Sequence, residues 1–207
     1  MSVSNPMFGE QPFKIGLFSA NCSGGLAVTT VPEQWAAEWD EIVELTCLAE
    51  DGGLEFILPV AKWKGYGGES DILGRSYETF THGAALAALT TKMTIFVTVH
   101  VPLVHPTYAA KSLATIDHIS RGRVGLNMVC GWNQDEFDLF GVAVDPDRRY
   151  EQGLEWYRLL MKLYDGGPEF SWNGDFYSGQ HMHTNPLPIQ RPRPITMSAG
   201  VSPQSQE

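Results

Sequence analysis

The residue types that could do chemistry collect in four places, each directly after an apolar run: Val60-Ala61-Lys62, Thr98-Val99-His100, Asn127 to Trp132, and Ser198 to Ser202. In parallel α/β folds ligands meet the carboxyl ends of the strands, so polar and glycine-rich residues in these positions are what a grafted site requires. Asn127 interrupts an apolar run with an amide that can both donate and accept, and a structural hydrogen bond competes evenly with a ligand contact there. Lys62 and Lys64 flank a glycine loop and, taken alone, read as solvated loop lysines. Arg149, in Asp-Arg-Arg-Tyr, reads alone as a surface residue at a helix start. Glu136 reads as an acid in a first helical turn, where the macrodipole favours it. His100 and His105 bracket a strand end without carboxylate support in the sequence, a pattern more usual for structural or solvent-facing histidines, although His100 could contact substrate. His181 and His183 fall on a loop by the same reading, and Cys130 reads as a small buried hydrophobe. No HExxH, CxxC, GxSxG or GxxxxGK[ST] pattern occurs, so zinc proteolysis, dithiol redox, serine hydrolysis and P-loop chemistry have no support. Gly65-Tyr66-Gly67-Gly68 does not match the dinucleotide fingerprint.

The elements that must position these residues alternate regularly. Strands are expected at Lys14–Phe18, Leu54–Val60, Met93–His100, Val124–Val129 and Pro194–Ser198. Helices are expected from Pro32 to the Gly52-Gly53 stop, from Tyr77 to Thr91, from Pro106 to Ile119, over Glu136–Phe140, and over Arg148–Tyr164. In the first helix Trp35, Trp39, Ile42, Val43 and Thr46 form the buried stripe. Asn173-Gly174 joins two aromatic runs in the manner of a β-hairpin. The β-α rhythm predicts a parallel α/β architecture with right-handed crossovers. A doubly wound sheet complete in five strands competes with a (β/α)8 barrel, which takes roughly 250 residues, cut off after its fifth strand.

Composition narrows the class. With 43% hydrophobic and 18% charged residues the chain reads as a packed globule of one domain, or most of one. A net charge of −10 argues against nucleic acid or an anionic membrane as partner, since both require a basic face. Three cysteines without metal or disulfide spacing, a start that lacks an export signal, and no apolar run near ~20 residues predict a cytoplasmic protein.

The segments AKWKGYGG, YETFTHGAALAALTTKMTI, AAKSLATIDHISRGRVGLNMVCGWNQDEFDLFG, DRRYEQGLEW and NGDFY together resemble the luciferase-like flavin-dependent monooxygenases. The resemblance runs from about Lys14 to the last residue and is strongest to the pyrimidine-, dimethylsulfone- and alkanesulfonate-oxidising members. It implies a (β/α)8 TIM barrel, present here as roughly its first five β/α units with a hairpin insertion, in a single domain spanning 1–207 and truncated at its C-terminus. It implies reduced FMN supplied by a separate NAD(P)H:flavin reductase, O2 activated as a flavin peroxide, and oxidation of a small nitrogen- or sulfur-containing compound by a protein that is homo-oligomeric at full length. Carried over residue by residue, it places FMN on Ala61, Lys62, Asn127, Glu136, Arg149, Tyr150 and Ser202. It assigns an oxygen pocket to Leu58, Val60 and Thr98, with Asn127 and Thr98 as the catalytic pair. Arg149, Tyr150 and Ser202 offer donors suited to a phosphate. Two positions depart from the pyrimidine-oxidising pattern: Ala61 stands for a larger aliphatic residue and Val60 for a methionine, which reshapes the oxygen pocket. The alternatives are a flavin or deazaflavin reductase of the same superfamily, which transfers hydride and excludes oxygen, and a non-catalytic flavin-binding fragment.

Overall fold

The computed structural model describes residues 5–199. Five parallel strands, β1 (Gly16–Phe18), β2 (Phe56–Leu58), β3 (Thr94–His100), β4 (Val124–Val129) and β7 (Ile195–Ser198), lie in the order β1-β2-β3-β4-β7. The helices between them are α1 (Trp39–Asp51), α2 (Thr79–Leu89), α3 (Pro106–Ser120), α4 (Gln134–Phe140) and α5 (Arg149–Tyr164). A separate antiparallel pair, β5 (Phe170–Asn173) and β6 (Ser178–Met182), follows α5.

The strand order decides between the two closures left open by the sequence. A doubly wound sheet reverses direction at a switch point and carries helices on both faces. Here each strand pairs with the one before it in the parallel series, and right-handed crossovers between successive neighbours put the crossover helices on one side. Helices α2, α3 and α5 pack in sequence along that side. The sheet is an arc of five parallel strands joined by four β/α crossovers of the barrel type, and its other face is the barrel interior.

Alternation along β3 shows how the two faces are filled. Ile95 and Val97 point at α2, where Gly83 leaves the space their methyl groups occupy. Thr94, Phe96, Thr98 and His100 therefore point inward. In the interior Phe56 and Phe96 meet edge to face at 5.8 Å. Gly16 and Gly125 flank them because a Cβ at either position would overlap a phenylalanine ring. The pairing of large and small residues fills the lower barrel and leaves the upper layer, Thr98 and Asn127, for polar use.

Three sequence expectations are corrected. Pro32 does not open α1. Residues 32–38 stay irregular, with Ala37 at φ 54° and Glu38 as the extended N-cap, and the helix begins at Trp39. Trp35 is held in the preceding loop, its indole N–H donating to the Ala20 carbonyl at 3.0 Å. The hairpin exists, but Asn173-Gly174 is not a two-residue turn. Asn173 pairs with Ser178, and residues 174–177 wrap around the Glu155 carboxylate. That carboxylate accepts from the backbone N–H groups of Asp175, Phe176 and Tyr177, each at 3.0 Å, and from the Trp172 indole at 3.1 Å. A side chain from α5 supplies what a primed turn would otherwise supply locally. His181 likewise lies within β6, not on a loop beyond it, and both it and His183 face Glu169.

His82 on α2 is 3% exposed, stacks on Tyr77 and meets Trp39 edge-on, and neither ring nitrogen has a partner. Burial holds its pKa down to about 4, with Glu78 opposing the shift. The folded state thus binds fewer protons than the unfolded chain between pH 6.5 and about 4. Stability is fully present above the unfolded pKa and falls with pH through that window, by up to about 3 kcal/mol. Denaturation midpoints at pH 7 and pH 5 should differ in the wild type, and His82→Phe should remove most of this residue's share of the difference. An unchanged difference in that variant contradicts the assignment.

Candidate functional site

The site is built where the carboxyl ends of β2, β3 and β4 meet. Thr98 and Asn127 are register partners on neighbouring strands. The Asn127 amide donates to Thr98 Oγ1 at 3.1 Å, and that hydroxyl donates to the Pro59 carbonyl at 2.5 Å. This chain fixes the Asn127 rotamer across three strands and leaves its amide carbonyl facing the pocket. Asn21, fully buried in the loop after β1, clamps the next turn of backbone. Its amide donates to the Val60 carbonyl at 2.8 Å, and its own carbonyl accepts from the Val60 N–H at 2.9 Å. Ser76 then holds the Lys62 carbonyl at 2.7 Å.

Lys62 is not a solvated loop lysine. Its ammonium lies 3.2 Å from Glu136 Oε1, with 4% and 2% of the two side chains exposed. The same carboxylate oxygen accepts from the Trp63 N–H at 2.8 Å, and the ammonium sits 4.3 Å from the centre of the Tyr66 ring. Glu136 is carried in by α4, which Asn133 caps by accepting from the Asp135 N–H. Lys64, by contrast, pairs with Asp135 in solvent.

His100, at the end of β3, joins this group. Its Nδ1 lies 3.7 Å from Glu136 Oε2, is sealed from solvent and has no hydrogen-bond partner. Burial pushes its pKa down, the Glu136 charge opposes this, and Lys62 adds to it. His105, the other histidine of the pair, is structural: its Nδ1 caps α3 by accepting from the Thr107 N–H.

Val60, Ala61, Lys62, Thr98, Asn127 and Glu136 thus line one pocket of about 170 Å³. His100, Tyr66 and Trp132 complete its wall. Leu58, the register partner of Phe18, is not among the residues that line it. Arg149 and Tyr150 stand apart at the first turn of α5, where the guanidinium lies 5.0 Å from the Tyr150 ring centre and Arg149 Nε is buried with no partner among the described residues. That turn sits beside β4, because Gly153 on α5 packs directly on Cys130 Sγ. Ser202 lies outside the described residues. Burial raises the Cys130 thiol above its ordinary pKa and the Cys22 thiol to about 12, so neither is a ready nucleophile.

Sequence reasoning missed Asn21 and undervalued His100. Nothing local marks an asparagine in a polar loop as a clamp, and the carboxylate that supports His100 comes from α4. A larger cleft of about 550 Å³ lies between α5 and the β5–β6 hairpin. None of its lining residues comes from the parallel sheet, and its Glu155 is already committed to the turn, so it is the weaker candidate. Among the described residues no group of three or more His, Cys, Asp or Glu is placed to hold a metal ion, and no helix is long and apolar enough to cross a membrane.

A sheet wound in one direction, with its polar residues gathered at the strand carboxyl ends, is the plan of a TIM-barrel enzyme. The family model for luciferase-like monooxygenases matches residues 13–207, and the chain belongs to that family. It is 33% identical over 195 residues to an FMNH(2)-dependent dimethylsulfone monooxygenase from Pseudomonas putida, covering 93% of this chain and 52% of that protein. It is 31% identical over 178 residues to the pyrimidine monooxygenase RutA of Escherichia coli (strain SMS-3-5 / SECEC), covering 84% of this chain and 49% of that one. The solved structure of riboflavin lyase (RcaE), with modified FMN and substrate riboflavin, shares the fold with a TM-score of 0.81 at 24% identity, over 93% of this chain and 51% of that chain. The chain spans about half the length of the curated relatives it matches.

Proposed function

We propose that this chain is part of a flavin-dependent monooxygenase that uses reduced FMN and O2 to oxidise a small nitrogen- or sulfur-containing compound. The observation that carries the reading is the convergence of Val60, Ala61, Lys62, Thr98, Asn127 and Glu136, from three strand ends and α4, on one pocket. FMN, when bound in reduced form, supplies the two electrons that let O2 transfer one oxygen atom. A separate NAD(P)H:flavin reductase supplies that reduced form.

The residues present fit such a group. A flavin ring has a mixed donor and acceptor edge, and the fixed Asn127 amide matches either. Arg149, with a sealed Nε awaiting an acceptor, fits the phosphate, assisted by Tyr150 and Ser202. Val60 and Trp132 supply apolar surface that keeps water from the reacting oxygen. Thr98 and Asn127 are the pair assigned to hold the reacting atoms. The names of the two sequence relatives support sulfone- and pyrimidine-like compounds as the substrate class.

The test is FMN titration of the protein by fluorescence quenching, followed by O2 uptake with the reductase present. Asn127→Leu is expected to weaken FMN binding about tenfold, the equivalent of one hydrogen bond of ~1.4 kcal/mol. O2 uptake coupled to an oxygenated product supports the reading. Flavin turnover indifferent to O2 points to a reductase, and absence of FMN binding in the full-length protein sinks it.

A further inference from the structure

His100 plays no part in the flavin assignment above, yet it is the buried titratable group with the most suggestive surroundings. It lines the barrel-mouth pocket on one side. On another it lines a cavity of about 20 Å³ that also reaches Lys62, Glu78, Thr79 and Thr98. That volume holds one water, and the walls offer it several polar partners. Of the two ring nitrogens, Nδ1 is buried with no hydrogen-bond partner among the described residues, and it lies 3.7 Å from Glu136 Oε2. The charged groups around the ring are Glu136 from α4 and Lys62 from the loop after β2, with Glu78 at the start of α2 across the cavity. The Glu78 carboxylate is engaged by the Phe80 and Thr81 N–H groups.

We infer that Glu136 and His100 form a carboxylate–imidazole proton relay, in which Glu136 holds the ring as its Nδ1–H tautomer and leaves Nε2 free to take up or release one proton between the pocket and the cavity behind it. A carboxylate facing one ring nitrogen sets the tautomer and steadies the charge that forms when the other nitrogen is protonated. In the uptake direction an O–H or N–H bond in the pocket breaks, an Nε2–H bond forms, and the positive ring sits against Glu136. The proton then passes to the cavity water and Nε2 is bare again. No electrons move.

The role of the relay rests on the monooxygenase reading. Substrate, O2 and reduced flavin, with its two electrons and two protons, give oxygenated substrate, oxidised flavin and one water, so protons must reach an oxygen atom inside a site that excludes bulk water. His100 is accordingly a proton-transfer residue, and Glu136 positions it.

The experiment is imidazole ¹⁵N NMR on the full-length protein without flavin. The expected result is a neutral ring protonated on Nδ1, which gains its second proton on Nε2 with a midpoint below that of an exposed histidine. Glu136→Gln should lower that midpoint by more than about half a pH unit, since the charge that favours the imidazolium is gone. A neutral ring protonated on Nε2 in the wild type overturns the relay, and so does a midpoint indifferent to Glu136→Gln in a folded variant. If Glu136→Gln does not fold, the wild-type tautomer decides. In the flavin-loaded protein, His100→Gln should make the O2-driven reoxidation of bound reduced FMN lose a pH inflection. An inflection that persists overturns the relay. A wild type that binds no FMN overturns the flavin reading and leaves the NMR result to judge the relay alone.

Discussion

Replacing Glu136 with leucine is expected to cost about 3–5 kcal/mol of folding stability and to abolish FMN binding. The carboxylate neutralises the Lys62 ammonium at 3.2 Å, with almost none of either side chain exposed. Without it Lys62 is left as an unpaired buried charge whose nearest compensation is the Tyr66 ring face, worth about 2 kcal/mol when desolvated. The Trp63 N–H loses its acceptor as well. Removing both charges, as in Lys62→Met with Glu136→Leu, should recover most of the stability, because two apolar side chains of similar size leave no charge to solvate. It should not recover flavin binding. Urea denaturation of the single and double variants reads the first effect, and fluorescence titration reads the second. A single variant destabilised by less than about 1 kcal/mol, the range of surface pairs, would show that water reaches the ion pair.

Trp156→Ala is expected to destabilise the protein by a similar ~3–5 kcal/mol, for a different reason. Trp156 is among the largest of the fully buried side chains and lies on the face of α5 that packs against the core. Its indole N–H donates to the Val104 carbonyl at 2.7 Å, tying α5 to the loop after β3. Truncation opens a cavity and strands that carbonyl, so the cost exceeds what lost area alone would give. Because Arg149 and Tyr150 begin the same helix, the variant should also weaken FMN binding without touching the pocket residues. Trp156→Phe refills most of the volume and should restore more of the stability than any polar substitution. Denaturation midpoints for the two variants, measured beside FMN affinity, separate packing from site geometry. Equal losses in both variants would mean that the hydrogen bond, not the volume, dominates.

Both predictions concern long-range contacts, and this is where sequence and structure part. The periodicities were sufficient for the elements. Val124–Val129 is an apolar run broken by one amide, and it is a strand with those bounds. Pro106 opens α3, and Gly52 and Gly53 end α1, because proline and glycine act through local backbone geometry. Pro32 misled because proline permits a helix start without requiring one, and the Trp35 indole is more strongly held by the Ala20 carbonyl in a loop. Asn173-Gly174 marked the hairpin correctly, while the shape of its turn was set by Glu155, a residue on another element.

The residue types and their order were enough to establish a parallel α/β chain of five units, its family, and the strand ends at which a site would form. These properties depend on neighbours in sequence or on a motif read along it. Tertiary structure alone decided that the sheet winds one way, that Asn21 clamps Val60, and that Lys62 is buried against Glu136 with His100 beside them. The reason is physical: the burial of a charge and the ionisation of a histidine depend on which distant groups the fold brings within a few ångströms, and nothing in the local pattern records that distance.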